Sequence, residues 1–427
     1  WLAPREPIPS DTSAVERAGQ AMPSGALRAH PAERGLRELE RNRPGLTEVG
    51  SCGKVAARGQ TEAVPRVSQS FSISPQGFAP ELCMNSTMRA WHLVPDGQAY
   101  RLELTTRPLA LPGPGRVLVK VQAASLNYRD LIIQKKLAGR EATGRIPLSD
   151  GAGEVVAVGP DVKRVQVGDR VAGCFFQTWL SGRFEMRHHQ HDLGGTIDGM
   201  LCEYADLSAE GVVPIPRTLS YAEAACLPCA GLTAGYALIN RGELRPGETV
   251  LVLGTGGVSM FALQLAVSLG CPVTAISSSD DKLRRCRDLG ATHTVNYRDF
   301  PDWDREVWRL SGQRGVDHVV EVGGPGTLGK SLGCIAPGGH IALVGVLTGF
   351  GAPAASLFPL VGRNARISGI YVGSREDFLD LGRFVEVQGL KPVIDRTFTF
   401  DQAPEAYRWL ESRQHLGKVL IRIGSQG

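Results

Sequence analysis

The sequence predicts an α/β protein in which a β-rich domain is followed by a doubly wound parallel sheet. Three observations carry this. Short strand-like runs broken by glycine fill residues 88–215. Apolar strand runs then alternate with helical patterns from residue 249 to about 346. At the head of that series stands VLVLGTGGVSMF (250–261), where aliphatic residues meet glycines before an apolar helical pattern begins.

The chain has 427 residues, enough for two or three domains. It is 42% hydrophobic and 21% charged, ordinary values for a globular protein. The net charge is +4, and basic residues are interleaved with acids, which argues against a nucleic-acid partner. No apolar run is long enough to span a bilayer, so no membrane partner is expected. The nine cysteines are scattered and read as reduced thiols of a cytoplasmic protein, not as a disulfide framework.

Residues 1–87 differ from the rest. They are rich in Arg, Glu, Pro, Gly and Ser, and their only aromatics are Trp1, Phe71 and Phe78. No helical or strand period is sustained, so little packed structure is expected. No apolar signal core is visible, and Glu6, Asp11, Glu33, Glu38 and Glu40 argue against a transit peptide. The expectation is a translated leader or non-native extension, with the protein proper starting at Met88. A regulatory tail is the alternative.

From Met88, RVLVKVQAASL (116–126), GEVVAVG (153–159) and GDRVAGCFF (168–176) read as strands. YAEAACLPCAGLTAGYALIN (221–240) reads as helical. TVLVL (249–253) precedes a helix at 257–269, PVTAI (272–276) one at 280–289, and THTVNY (292–297) one at 302–311. DHVVEV (317–322), a helix near 327–335 and GHIALVGV (339–346) follow. Buried strands alternating with helices imply a parallel sheet. ARISGIYV, helices at 375–388 and 402–412, and GKVLIRIG (417–424) close the chain.

The loop GTGGVS sits where strand turns into helix. Gly254 permits the tight turn and Gly256 lets a pyrophosphate approach the backbone. Gly257 and Val258 present free N–H groups at the positive end of a helix. Ser259 stands where the fingerprint has a third glycine, and a small residue suits close helix packing. A dinucleotide is therefore the expected ligand. About 20 residues on, NAD sites carry an acid for the ribose 2′-hydroxyl. Here ISSSDDK (276–282) offers Ser277, Ser278 and Ser279, with Lys282 and Arg285 following. Hydroxyls and a cation suit a 2′-phosphate, so NADP(H) is favoured over NAD(H). Asp280 and Asp281 would oppose a phosphate they faced, and are read instead as capping the helix at its positive end. An ordinary solvated side chain is the other reading of Lys282.

Taken together, RVLVKVQAASLNYRDL, GAGEVVAVGPDV, GDRVAG, LPCAGLTAGYAL, GTGGVS and GKVLIRI resemble the medium-chain dehydrogenase/reductase superfamily across 88–427. The resemblance implies a GroES-like catalytic domain at 88–215 and a Rossmann domain at 216–355. Residues 356–427 would complete the catalytic domain. The active site would lie in the cleft between the two domains.

Long-known members of this superfamily are zinc alcohol dehydrogenases. Catalytic zinc needs three protein ligands and an open position. By resemblance the first ligand position holds Asn127, the second Ser149 beside Asp150, and the third Cys229. One thiol of three does not hold zinc. The loop 174–202 has only Cys174 and Cys202 where a structural zinc needs four cysteines. RHHQH (187–191) lacks cysteine or acid partners at ligand spacing and reads as a solvated loop. The chain therefore resembles the zinc-free quinone oxidoreductase-like branch, whose signature SLNYRDL closely matches. GGTIDGMLCEYADL (194–207) is similar to bacterial members labelled zinc-type or NAD(P)-dependent alcohol dehydrogenases, but the metal in that label does not suit these residues.

The resemblance assigns Asn127 as amide donor to the substrate oxygen and Tyr128 as candidate proton donor, with packing as the alternative for Tyr128. Arg129 and Asp130 are expected as a pair that shapes the pocket, or as a structural ion pair. Thr233 is placed near the nicotinamide carboxamide. Gly323 and Gly324, with Val344 and Gly345, are placed at the nicotinamide ribose. Lys418 matches a cleft lysine, with solvation at a strand start as its alternative. Cys229 is either a reactive cleft thiol or a small buried apolar residue. Without zinc, quinones and α,β-unsaturated carbonyls are the easier hydride acceptors, so their reduction by NADPH leads. A zinc-independent alcohol or aldehyde dehydrogenase is the second reading. A non-enzymatic structural or RNA-binding role is the third. A homodimer through the edge strand IALVGV is the family expectation.

Overall fold

The computed structural model describes residues 86–137, 139–353 and 355–424. Most of the expected leader or extension lies outside the described residues. The described chain opens with a hairpin, β1 (Thr87–Asp96) and β2 (Ala99–Pro108), paired in antiparallel register from Thr87↔Pro108 to Asp96↔Ala99. Gly97, at φ +57°, takes the left-handed conformation its two-residue turn requires.

A seven-stranded sheet follows. It contains β3 (Arg116–Leu126), β4 (Asp150–Val158), β5 (Arg170–Gly173), β6 (Tyr204–Ser208) and β7 (Val212–Pro214). The valines at 117, 119 and 121 of β3 are buried on its inner face. β3 ends at Leu126, and Asn127 caps the helix Tyr128–Gln134. The strand therefore delivers the SLNYRDL segment to one end of the sheet.

The segment 221–240 is helical, as the sequence predicts, but not regular. Regular turns at Tyr221–Ala224 and Leu232–Gly235 are interrupted by wider π turns at Leu227–Gly231 and Tyr236–Asn240. Pro228 has no N–H to bond back along the helix, which favours such a widening there.

The parallel sheet contains β8 (Val250–Leu253), β9 (Val273–Ser277), β10 (His293–Asn296), β11 (Val316–Glu321), β12 (Ile335–Leu343) and β13 (Arg366–Gly369). Its spatial order is β10-β9-β8-β11-β12-β13, and all neighbours are parallel. The chain reverses direction of growth between β8 and β11, which marks the ligand crevice of such sheets. Helix Gly257–Ser268 crosses beneath, and Met260 to Leu263, Leu265 and Ala266 are all buried. It is apolar on more than one face because it is covered by the sheet and by the 221–240 segment alike.

Two features differ from the sequence reading. The parallel sheet runs on to Gly369, past residue 355, because β13 pairs with β12 from His340↔Arg366 onward. IALVGV is consequently not the edge; β12 lies between β11 and β13. After helix Arg375–Gln388, β14 (Ile394–Thr399), helix Ala403–Glu411 and β15 (Lys418–Arg422) return to the first sheet. β15 pairs antiparallel with β3, which sets Val419 opposite Leu126.

Candidate active site

The glycine loop after β8 has the geometry of a phosphate cradle. Gly254 sits at φ +69°, and a Cβ at Gly254 or Gly256 would meet no described atom within 4 Å beyond its own chain neighbours. The space over the loop is open to a ligand. Gly256 is the cap of helix Gly257–Ser268, so the free N–H groups of Gly257 and Val258 begin a twelve-residue helix. Ser259 is buried, and its hydroxyl donates to the Leu253 carbonyl at 2.6 Å. A small residue there lets the helix start close to the strand end.

The other expected cofactor positions lie at the carboxyl ends of neighbouring strands. Ser278 follows β9, Gly323 and Gly324 follow β11, and Val344 and Gly345 follow β12. Ser279 caps helix Asp280–Asp288, its Oγ accepting the Lys282 N–H. Asp280 accepts from Asn296 at 2.9 Å and Asp281 pairs with Arg284. Both acids are thus engaged within their own surroundings. Lys282 is not simply solvated. Its Nζ donates to the carbonyls of Arg413 and His415 at 2.8 and 2.9 Å.

One residue that sequence reasoning missed organises the Gly323–Gly324 turn. Glu321 is fully buried and accepts from the N–H groups of Gly323 and Gly324 at 2.8 and 2.9 Å. The Thr327 hydroxyl adds a bond at 2.6 Å, and the Ser331 hydroxyl another. A cavity of about 330 Å³ borders this turn, lined by Gly324, Leu328, Val344, Gly345 and Phe350 among others. The acid in VEVGG was the available signal, but its sequence neighbours do not show that it turns inward.

The SLNYRD segment and β15 meet beside the glycine loop. Gly256 and Gly417 form a parallel bridge, and the Gly417 N–H donates to the Thr255 carbonyl at 2.8 Å. Lys418 is therefore carried under the loop. It is 2% exposed, not solvated. Its Nζ donates to Asn127 Oδ1 at 2.6 Å and to the Leu126 carbonyl at 2.8 Å, with Asp150 Oδ2 at 3.4 Å. Asp150 is fully buried and also accepts from the Ser149 hydroxyl at 2.8 Å and the Cys229 N–H at 3.3 Å. Asn127 Nδ2 is buried and donates to no acceptor among the described residues. Thr233 is buried one helical turn beyond Cys229. Cys229 is half-buried, and desolvation drives its thiol pKa upward. Such a thiol stays protonated near neutrality, which opposes the reactive reading.

Arg129 and Asp130 form a long ion pair. They stand 4.0 Å apart, while Arg129 pairs with Asp192 and donates to the Leu193 carbonyl at 2.8 Å. The Arg129 guanidinium also lies 4.4 Å from the centre of the Phe175 ring. Asp130 turns back to its own helix start, its Oδ2 accepting the Asn127 N–H at 2.7 Å. Burial raises the Asp130 pKa to about 6, against the opposing pull of Arg129. Tyr128 packs at the base of the same helix and lines a cavity of about 80 Å³ with Leu131, Ile132 and Leu410. The RHHQH segment is solvated only in part: Arg187, Gln190 and His191 are exposed. His188 and His189 are buried among Phe176, Trp179, Phe184 and Tyr371. The aromatic residues that bury them come from positions before and after the segment.

Two family models match this chain. The alcohol dehydrogenase GroES-like domain matches residues 113–217, and the zinc-binding dehydrogenase domain matches 257–386. A zinc-type alcohol dehydrogenase-like protein of Schizosaccharomyces pombe is 45% identical, over 73% of this chain and 91% of its own. The chain belongs to the medium-chain dehydrogenase/reductase superfamily. The 2-methylene-furan-3-one reductase of Solanum lycopersicum is 30% identical, over 83% of this chain and 84% of its own. The crystal structure of an NAD-dependent alcohol dehydrogenase, 34% identical, superposes with a TM-score of 0.71 over 79% of this chain and all of that one. This medium-chain dehydrogenase/reductase is an oxidoreductase with a nicotinamide cofactor, which sets aside the non-enzymatic reading.

Zinc, which the family model's description implies, does not fit the residues at this place. They offer an amide oxygen, a carboxylate and one protonated thiol. A lysine ammonium lies among them, bonded to the amide and facing the carboxylate. A divalent cation there would meet a fixed positive charge within a few ångströms.

Proposed function

We propose that this medium-chain dehydrogenase/reductase is a zinc-independent reductase that uses NADPH to reduce quinones or α,β-unsaturated carbonyls. The observation that carries the reading is the Asn127 amide. It presents a buried Nδ2 donor with no protein acceptor among the described residues, at the strand end beside the glycine loop. Such a donor matches an oxygen on which negative charge develops. Gly254, Gly256, Gly257 and Val258 would hold the pyrophosphate. Gly323, Gly324, Val344, Gly345 and Thr233 would hold the nicotinamide end. Bound there, the reduced nicotinamide supplies the hydride. Asn127 then steadies the acceptor oxygen, and burial of the surrounding side chains keeps water from the reacting carbon. A proton from solvent, taken up by the resulting enolate or quinol anion, completes the product. Ser278, Ser279 and Lys282 favour a 2′-phosphate; one Lys282 donor remains beyond its two carbonyl partners.

The tomato relative's name supports an unsaturated carbonyl as acceptor. The names of the yeast relative and of the solved structure favour a second reading, an alcohol dehydrogenase, and the latter favours NAD. Product analysis separates them. Incubation of the protein with NADPH and a small enone is expected to give the saturated ketone. Formation of the allylic alcohol instead, or oxidation of simple alcohols with NADP⁺ as the faster reaction, would contradict the proposal.

A homodimer would use β13, the observed sheet edge, near which Phe358 and Val361 are 73% and 77% exposed. The seven described cysteines are all free, in keeping with a reducing compartment such as the cytoplasm.

A further inference from the structure

The family resemblance makes Lys418 a cleft lysine, within reach of a bound cofactor, yet its ammonium has no donor left to give. An ammonium has three donors and no acceptor. Here they face the Leu126 carbonyl at 2.8 Å, Asn127 Oδ1 at 2.6 Å and Asp150 Oδ2 at 3.4 Å. The stem is equally fixed. A Cβ at Gly257 would stand 2.8 Å from Lys418 Cδ, so the side chain runs against the first residue of the dinucleotide helix. Gly417, at φ +79° and bridged to Gly256, sets that path.

The consequence falls on Asn127. An amide whose oxygen faces an ammonium cannot flip without setting N–H against N–H. Its other end, Nδ2, is then the free donor, and it is the buried atom without a partner. A charged donor on the oxygen also polarises the amide and strengthens its N–H groups. Asp150, fully buried, supplies the counter-charge that lets the ammonium stay there.

We propose that Lys418 is the positioning residue of the acceptor site: its ammonium locks the Asn127 amide with Nδ2 toward the substrate oxygen, and it does not bind the cofactor's phosphates. This rests on the reading of Asn127 as the donor to that oxygen.

The test uses the full chain, NADPH and a small enone, with nucleotide affinity measured separately by fluorescence titration. Three variants are compared: Asn127→Asp, Lys418→Arg, and Lys418→Met combined with Asp150→Asn, which avoids an unpaired buried carboxylate. The proposal expects the Lys418→Met/Asp150→Asn pair to lower kcat about 100-fold, the scale of one lost oxyanion donor. NADPH affinity should change less than about twofold. Lys418→Arg should recover part of the lost turnover, and adding Asn127→Asp to the Met/Asn pair should cost little more, since both act on one group. A tenfold loss of NADPH affinity with kcat kept at saturation would overturn the proposal and make Lys418 a cofactor ligand. Full turnover by the Met/Asn pair while Asn127→Asp alone is impaired would overturn it and leave the reading of Asn127 standing. Full turnover by Asn127→Asp would overturn both.

Discussion

Asp130 Oδ2 accepts the backbone N–H of Asn127 at 2.7 Å, while Asp130 Oδ1 makes no hydrogen bond among the described residues. One carboxylate oxygen thus closes the strand-to-helix turn that presents Asn127, and the other sits buried 4.0 Å from Arg129. Burial raises this carboxyl from 3.8 to about 6. Across that window the folded state binds a proton that the unfolded state has released. Stability is therefore expected to fall as pH rises from about 4 to about 6, by about 3 kcal/mol from this group. Asp130→Asn keeps an acceptor for the Asn127 N–H and should remove that slope. Urea unfolding of the two proteins at several pH values checks it; parallel curves would show that Asp130 titrates normally.

Arg129 finds its counter-charge in Asp192, and Arg140 stands 3.6 Å from the same carboxylate. Both members of the Arg129–Asp192 pair are largely buried. Removing one partner leaves a charge without compensation, which costs about 3–5 kcal/mol. Asp192→Asn is expected to lose stability on that scale in chemical denaturation. A change below about 1 kcal/mol would mean that the pair is solvated.

The cofactor preference depends on the residues just beyond β9. Ser278→Asp places a carboxylate where the 2′-phosphate would lie. It is expected to raise the KM for NADPH by about an order of magnitude and to leave that for NADH level or lower. Equal effects on the two nucleotides would place the 2′-phosphate elsewhere.

Cys229 donates its backbone N–H to Asp150, but its thiol is desolvated and protonated. Alkylation by iodoacetamide near pH 7 should be slower than for a free thiol. Cys229→Ala should keep most of the turnover. Rapid alkylation that abolishes turnover, together with an inactive alanine variant, would restore the thiol to the chemistry.

Much of this was legible in the sequence because local chemistry dictates it. The glycine loop, the alternation of strand and helix and the run of serines, not a carboxylate, at 277–279 each depend on residues close in the chain. The features that escaped reading depend on residues far apart. Lys418 reads as a cleft lysine or a solvated strand start, and only the pairing of β15 with β3, which buries it, decides between the two. Arg129 reads as the partner of Asp130, and its closer partner, Asp192, comes from a loop far along the chain. RHHQH reads as polar until Phe176, Trp179 and Tyr371 close around its histidines. IALVGV reads as an edge because the residues that pair beyond it, Arg366–Gly369, make only a short strand.

Reduction by NADPH without zinc is tested most directly by nucleotide consumption. Metal-stripped protein is given one enone and one quinone, with NADPH and NADH in parallel. Turnover that survives chelation and is faster with NADPH is the predicted result. Turnover that vanishes on stripping and returns with added zinc would contradict a zinc-independent reductase.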